Sequence, residues 1–183
     1  GASEGKGKGN AFLSHIREDD AIAHVVRCFE NDDIIHVAGR IDPLADIDII
    51  NTELVLADLN IVEKAADRQA KAAKGGDKDA SRKRDIFERV RVHLDGGKPV
   101  HSMTLTTDEK KDIRELHLLT DKPVMYVANV LETGFENNPF LDALKKLGVL
   151  DDTVVIYTTD NGAEHSGRSH GGTTPFRGEK MTT

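Results

Sequence analysis

The sequence is poor in the features that define several protein classes. One cysteine, Cys28, in 183 residues leaves no internal disulfide to form. Its neighbours in "HVVRCFE" are apolar and alternate as in a strand, so the thiol reads as a small buried apolar group rather than a reactive one. No apolar run approaches the ~20 residues that a membrane span requires. No stretch has the basic-then-apolar order of a signal peptide. Internal repeats are absent, and low complexity is confined to the Gly-rich opening, "GASEGKGKGN". These absences exclude a disulfide scaffold, a helical membrane protein and a solenoid. A cytoplasmic location without membrane partners is the expectation.

The composition is that of a folded, rather polar domain: 38% hydrophobic and 31% charged, with a net charge of -7. That charge is uneven. Eleven Lys/Arg and six Asp/Glu between Lys64 and Lys98 make the segment +5 and leave -12 on the rest of the chain. A basic segment on an acidic protein suits a local anionic partner, RNA above all.

Hydrophobic periodicity alternates between helix and strand. "NAFLSHIRE" sets Phe12, Leu13 and Ile16 on one helical face, with Asn10 as a cap. "AIAHVVRCF" is a short apolar run of the kind buried on both faces of a parallel sheet. In "DIDIINTELVLADLNIVEKAADRQAKAAK", Ile47, Ile50, Leu54, Ala57 and Ile61 form a seam of alternating three- and four-residue spacings. "KGGDK" ends that helix, with Gly75 in the left-handed C-terminal position. Ile86, Phe87, Val90 and Leu94 then mark a second helix, which makes an antiparallel hairpin with a positive tip. "TTDEKKDIRELHLL" opens with a capping box, Thr106 to Glu109, and continues its apolar face through Ile113, Leu116 and Leu119. "KPVMYVANV" is a strand entered through Pro123, and "NNPFLDALKKLG" is a helix stopped by Gly148. "DTVVIYTTDNG" is a further strand. The fold class expected is α/β: a partial parallel-sheet nucleotide-binding domain with an inserted antiparallel helical hairpin.

The tetrad "NVLE", Asn129 to Glu132, sits at the C-terminal end of an expected strand, where open α/β sheets bind ligands. Asn129 offers a donor and an acceptor suited to a purine edge, and Glu132 a carboxylate able to accept from an exocyclic amine. The same residues also serve an ordinary turn. Their surroundings are more specific. "NAFLSHIRE", "HVVRCFENDDIIHV", "INTELVLADL", "KAAKGGDKDA", "KPVMYVANV" and "GFENNPFLD" together resemble the YchF-type Obg-like ATPases, of the translation-factor-related P-loop GTPase class, over residues 1–145. The resemblance implies a base-recognition motif at "NVLE". Glu132 stands where related GTPases carry the Asp that reads guanine, a change linked to the family's preference for ATP over GTP. It makes Asn129, Val130 and Glu132 the nucleotide-binding residues, ATP the cofactor and purine nucleotide the ligand. It also implies Mg²⁺ for the full-length family. The hairpin becomes the family's inserted helical domain and the ribosome a partner, with Lys78, Arg82, Lys83 and Arg84 as candidate ribosome or RNA contacts.

No G-x-x-x-x-G-K-[ST] occurs among the 183 residues. "GKGKGN" has the wrong spacing and no Ser/Thr after its lysine, so it reads as a loop rather than a phosphate cradle. The family's Mg²⁺-associated Asp-x-x-Gly segment is expected just ahead of Gly1. Backbone N–H groups and the P-loop Lys supply most phosphate contacts, so weak nucleotide binding without efficient hydrolysis is the expectation.

Residues 146–183 carry a second pattern. "TTDNGAEH" followed by "GGTTPFRGEK" resembles the catalytic segment of sulfatases. That resemblance implies Asp160 and Asn161 as ligands to a divalent cation, usually Ca²⁺, and Lys180 as a sulfate contact; hard oxygen ligands and an ammonium suit those roles. "DNG" is equally a turn signal. No Cys-x-Pro-x-Arg supplies a sulfatase nucleophile, and His165 and His170 read as solvated loop residues. The organisation expected is thus a truncated or chimeric chain joined near Leu144–Gly148. A partial G-domain occupies 1–45, the helical hairpin 46–100, a G-domain continuation 101–145 and a sulfatase-like strand and loop 146–183. Alternative functions are a sulfuric ester hydrolase fragment, or an RNA- or ribosome-binding module without nucleotide function.

Overall fold

The structure, a computed structural model, describes residues 8–31, 40–131, 134 and 136–145. The chain divides into two compact units, Gly1–Lys146 and Leu147–Thr183, and every described residue lies in the first. Helix α1 (Lys8–Glu18) leads into strand β1 (Ile22–Arg27). Two long helices follow, α2 (Pro43–Ala73) and α3 (Lys78–Asp95), then α4 (Thr107–Arg114), strand β2 (Val124–Asn129) and α5 (Pro139–Lys145). Short 3-10 turns at Val100–Ser102 and Leu119–Asp121 flank α4. The two strands pair in parallel, from Ile22 beside Val124 to Arg27 beside Asn129. The class is α/β with a small parallel sheet, as the alternation of periods in the sequence predicts.

Helix α2 starts where local chemistry requires it. Pro43 occupies the first turn, where its missing N–H costs nothing, and the Asp42 carboxylate accepts from the Ala45 N–H at 3.1 Å. Its buried face comprises Ile47, Leu54, Val55, Ala57, Asp58, Val62, Ala65 and Ala66. At about 100° per residue, this stripe lies roughly 60° around the helix from the expected seam. Ile50 is accordingly exposed, and Ile61 only half-buried. The reason is geometric: a straight helix of about 3.6 residues per turn drifts off a 3.5-residue seam, and here three packing partners share one helix. Toward its C-terminal half, Val55, Val62, Ala65 and Ala66 pack with Ile86, Phe87, Val90 and Leu94 of α3, and with Val100 and Ile113. Toward its N-terminal half, Leu54 and Ala57 meet Leu13 and Leu119, while Ile47 meets Val26 and Cys28.

The hairpin turn differs from expectation by one residue. Gly76 takes the left-handed conformation (φ +89°), and Gly75 continues the turn by donating to the Ala72 carbonyl at 2.9 Å. The capping box on α4 forms: Glu109 Oε2 accepts from the Thr106 N–H at 2.8 Å, and Thr106 Oγ1 from the Glu109 N–H. This helix is shorter than its apolar period suggests, because His117 turns left-handed (φ 47°). Ile113, Leu116 and Leu119 are buried nonetheless. Asn10 lies inside α1 rather than capping it, and Phe12 is exposed while Leu13 is buried. Strand β1 is not covered on both faces by the described residues. Ala23 and Val25 are exposed, beside Met125 and Val127 in register.

One buried polar group ties these parts together. Asp58, in the middle of α2, is fully buried and accepts four hydrogen bonds. They come from Arg17 Nη1 (2.8 Å), the Leu119 N–H (3.0 Å), the Thr120 N–H (2.7 Å) and Thr120 Oγ1 (2.8 Å). Thr120 Oγ1 in turn accepts from the Val100 N–H at 3.1 Å. A carboxylate buried without such donors would cost several kcal/mol. With them, α1, α2 and both 3-10 turns are held at one point.

Candidate functional site

Two surfaces follow from the sequence reading, one at the C-terminal end of β2 and one on the helical hairpin. At the first, Asn129 closes the strand. Its carbonyl accepts from the Cys28 N–H at 2.8 Å, extending the parallel ladder one step past β1, while its side chain is exposed. Val130 is half-buried and packs on the cluster of Val26, Cys28 and Ile47. Leu131 is exposed again. Alternation along the extended chain thus turns Asn129 and Leu131 outward and Val130 inward. Leu131 is a lining candidate that the tetrad pattern passes over; the signal for it was this same two-residue period. Glu132 lies outside the described residues. Beside Asn129, Arg27 donates from Nε to the Phe29 carbonyl at 3.0 Å and lies over the Phe29 ring, 4.8 Å from its centroid.

Cys28 is fully buried, and burial pushes its thiol up to about 11, which suits packing rather than nucleophilic chemistry. His24, half-buried and tilted against the Tyr126 ring at 5.5 Å, is held below its usual value by burial, with Asp46 opposing. Asn129 therefore offers hydrogen-bonding groups at an exposed strand end, between the neutral thiol of Cys28 and the Arg27 guanidinium.

On the hairpin, charge pairing sorts the basic residues. Arg82 binds Asp112 of α4, with Nη2 to Oδ1 at 3.1 Å, and also Asp79 at 2.7 Å. Lys83 binds Glu115 at 3.1 Å, Arg84 binds Asp85 at 2.6 Å, Arg91 binds Glu88, and Arg89 binds Glu109. The hydrogen bond from Arg82 holds the Asp79 carboxyl below its usual range; the Thr106 N–H and then Arg89 do the same for Glu109. Of the four nominated contacts, Lys78 alone has no ion-pair partner among the described residues. Lys64, Arg68, Lys71 and Lys74 are exposed and also unpaired there. Residues 64, 68 and 71 fall at i, i+4 and i+7 on one face of α2. Glu63 and Asp67 flank them. A shallow cleft between α3 and α4 is lined by Arg82, Asp85, Ile86, Arg89, Thr106, Asp108 and Glu109. Its arginines are already held by acids, so it offers no spare cation to an anion.

Among the described residues, no three His, Cys, Asp or Glu side chains come together to hold a metal ion. Asp160, Asn161 and Lys180, with His165 and His170, lie outside the described residues, as does the Ca²⁺ site they would form. No helix among the described residues is long and apolar enough to cross a membrane.

The chain matches no protein-family model. It is similar to curated proteins called ribosome-binding ATPase YchF. The Haemophilus influenzae protein is 53% identical over 156 residues, 85% of this chain and 43% of the relative. The Escherichia coli O157:H7 protein is 51% identical over the same span, and the Bacillus subtilis protein 51% identical over 132 residues, 72% of this chain. The chain thus spans less than half the length of these relatives, 43% of the first. Among solved structures, the Schizosaccharomyces pombe YchF GTPase superposes with a TM-score of 0.69 at 37% identity, over 78% of this chain and 40% of that one.

Proposed function

Taking as premise that the chain is homologous to the YchF ribosome-binding ATPases over 85% of its length, we propose that it forms the base-reading edge of a purine-nucleotide site and a ribosome-contacting helical hairpin. The observation that carries the first part is the exposed Asn129 at the C-terminal end of a parallel strand, one residue before an inward-facing Val130. Asn129 pairs with the purine edge, Leu131 covers the base face, and Glu132 accepts from the exocyclic amine of adenine, favouring ATP over GTP. Without a G-x-x-x-x-G-K-[ST] in its 183 residues, the chain alone binds nucleotide weakly and turns it over slowly. Its ligands are ATP and, for the longer relatives, ATP with Mg²⁺; its location is cytoplasmic.

Support for the ribosome-contacting part comes from the relatives' name and from the unpaired cations of the hairpin. Exposed lysines and arginines without partners release counterions when they meet phosphates, so binding by this route falls steeply with salt.

Titrating the chain into a fluorescent ATP analogue, then competing with unlabelled ATP and GTP, tests the nucleotide reading. Saturable binding with Kd on the order of 1 mM or tighter, displaced better by ATP than by GTP, is expected. No saturation at millimolar nucleotide, or displacement favouring GTP, overturns it.

A further inference from the structure

The turn that follows Asn129 is held by a side chain that neither the motif nor the relatives' names point to. Asn138 uses three hydrogen-bonding groups at once. Its amide nitrogen donates to the Cys28 carbonyl at 3.0 Å and to the Gly134 carbonyl at 2.9 Å, and its oxygen accepts from the Phe140 N–H at 3.0 Å. The last bond caps α5. The other two reach the residues that hold both ends of the base-reading segment, Cys28 and Gly134. Cys28 holds the Asn129 carbonyl with its N–H at 2.8 Å and gives its own carbonyl to Asn138. Gly134 holds the Leu131 carbonyl with its N–H at 2.8 Å and likewise gives its carbonyl to Asn138. One amide group thus fixes Asn129 through Cys28 and Leu131 through Gly134.

Gly134 is suited to this closeness. A Cβ there would stand 3.1 Å from the Leu131 oxygen and 3.4 Å from the Asn138 nitrogen. The chemistry at position 138 is equally restrictive. A helix cap needs an acceptor alone, which Asp, Ser or Thr supplies. Two simultaneous donations from the same short side chain need an Asn carboxamide.

We propose that Asn138 is a positioning residue for base recognition: it sets where Asn129 and Leu131 face the purine, and so sets the preference for adenine over guanine. This rests on the purine-site reading above. Asn138 touches no reacting atom; it acts through the strand end and the turn.

Two variants separate this role from helix capping. Asn138→Asp keeps the acceptor for Phe140 and loses both donations; Asn138→Ala loses all three bonds. Dissociation constants for ATP and GTP are measured by competition on the full chain, with amide hydrogen exchange at Gly134 as a nucleotide-independent readout. In both variants the ATP-to-GTP preference should fall by about three- to tenfold, the scale of one hydrogen bond's net worth, and Gly134 exchange should quicken. A wild-type preference in Asn138→Asp, or equal loss of ATP and GTP affinity in both variants, overturns the inference while leaving the purine site standing. If the unaltered chain binds no nucleotide, the purine reading fails and this role with it; slow Gly134 exchange would then show the clasp to be purely structural.

Discussion

Replacing Asp58 by alanine should cost a large part of what holds the described unit together. The carboxylate is fully buried and satisfies two backbone N–H groups, a hydroxyl and a guanidinium. Removing it orphans the N–H groups of Leu119 and Thr120, at about 1–3 kcal/mol each. It also takes the carboxylate partner from Arg17, whose side chain is only 16% exposed, and leaves it the His117 carbonyl at 2.9 Å. Breaking a buried ion pair by removing one partner costs about 3–5 kcal/mol in all, which brackets the same loss without counting it twice. Alanine's better helix propensity returns about 0.5 kcal/mol. The net, about 3.5 kcal/mol, is a large part of the roughly 5–15 kcal/mol by which domains are stable. Arg17→Ala should cost less, about 2 kcal/mol, because the carboxylate keeps its three other donors. Urea unfolding followed by circular dichroism at helical wavelengths measures both. A midpoint shift for Asp58→Ala worth less than about 1 kcal/mol, smaller than the ordinary range for an orphaned buried donor, would refute the reasoning. So would a larger loss for Arg17→Ala than for Asp58→Ala.

Three further outcomes are expected. Reversing Lys64, Arg68 and Lys71 to Glu should weaken co-sedimentation with ribosomes and flatten its log–log salt dependence by roughly 2–3; reversing Arg84, already paired with Asp85, should do less, and an equal effect of the two would count against the α2 face. Cys28, with its thiol raised to about 11 by burial, should resist a disulfide-exchange reagent at pH 8 and react stoichiometrically only when the chain is unfolded; rapid native labelling would contradict its burial. His24 has a folded pKa below its unfolded value of 6.5, so the unfolded state takes up the proton more readily and stability should decline as pH falls below that value. In His24→Gln that part of the decline should vanish, and an unchanged pH profile would show that another group carries it.

Some local signals in the sequence were faithful and others were not: Asn10 lies inside α1 rather than at its start, and the left-handed glycine is Gly76 rather than Gly75. The Thr106–Glu109 capping box needs only four consecutive residues, and it forms as read. The strand through Pro123 and the parallel pairing follow from apolar runs separated by helices. Features set by distant partners were less legible. The buried stripe of α2 is rotated because α1, β1 and α3 all pack on it, and no spacing within α2 records that. Asp58 does leave a trace: an acidic residue four places after Leu54 and four before Val62, on the apolar face, demands buried donors. Those donors are 41 to 62 residues away. The same holds for the hairpin charges. Arg82 and Lys83 look free in the sequence, yet their partners Asp112 and Glu115 lie 30 and 32 residues on. At the candidate nucleotide site, Asn129 could be named from its place at a strand end. Asn138 could not, since its partners Cys28 and Gly134 are 110 and 4 residues distant.

The central claim is that the exposed end of β2 reads a purine base. Titrating ATP into the ¹⁵N-labelled chain and following amide chemical shifts tests it most directly. Saturable shifts concentrated at Arg27, Cys28, Asn129, Leu131 and Gly134, smaller with GTP at equal concentration, are predicted. Shifts confined to the hairpin, or none at millimolar ATP, would contradict it.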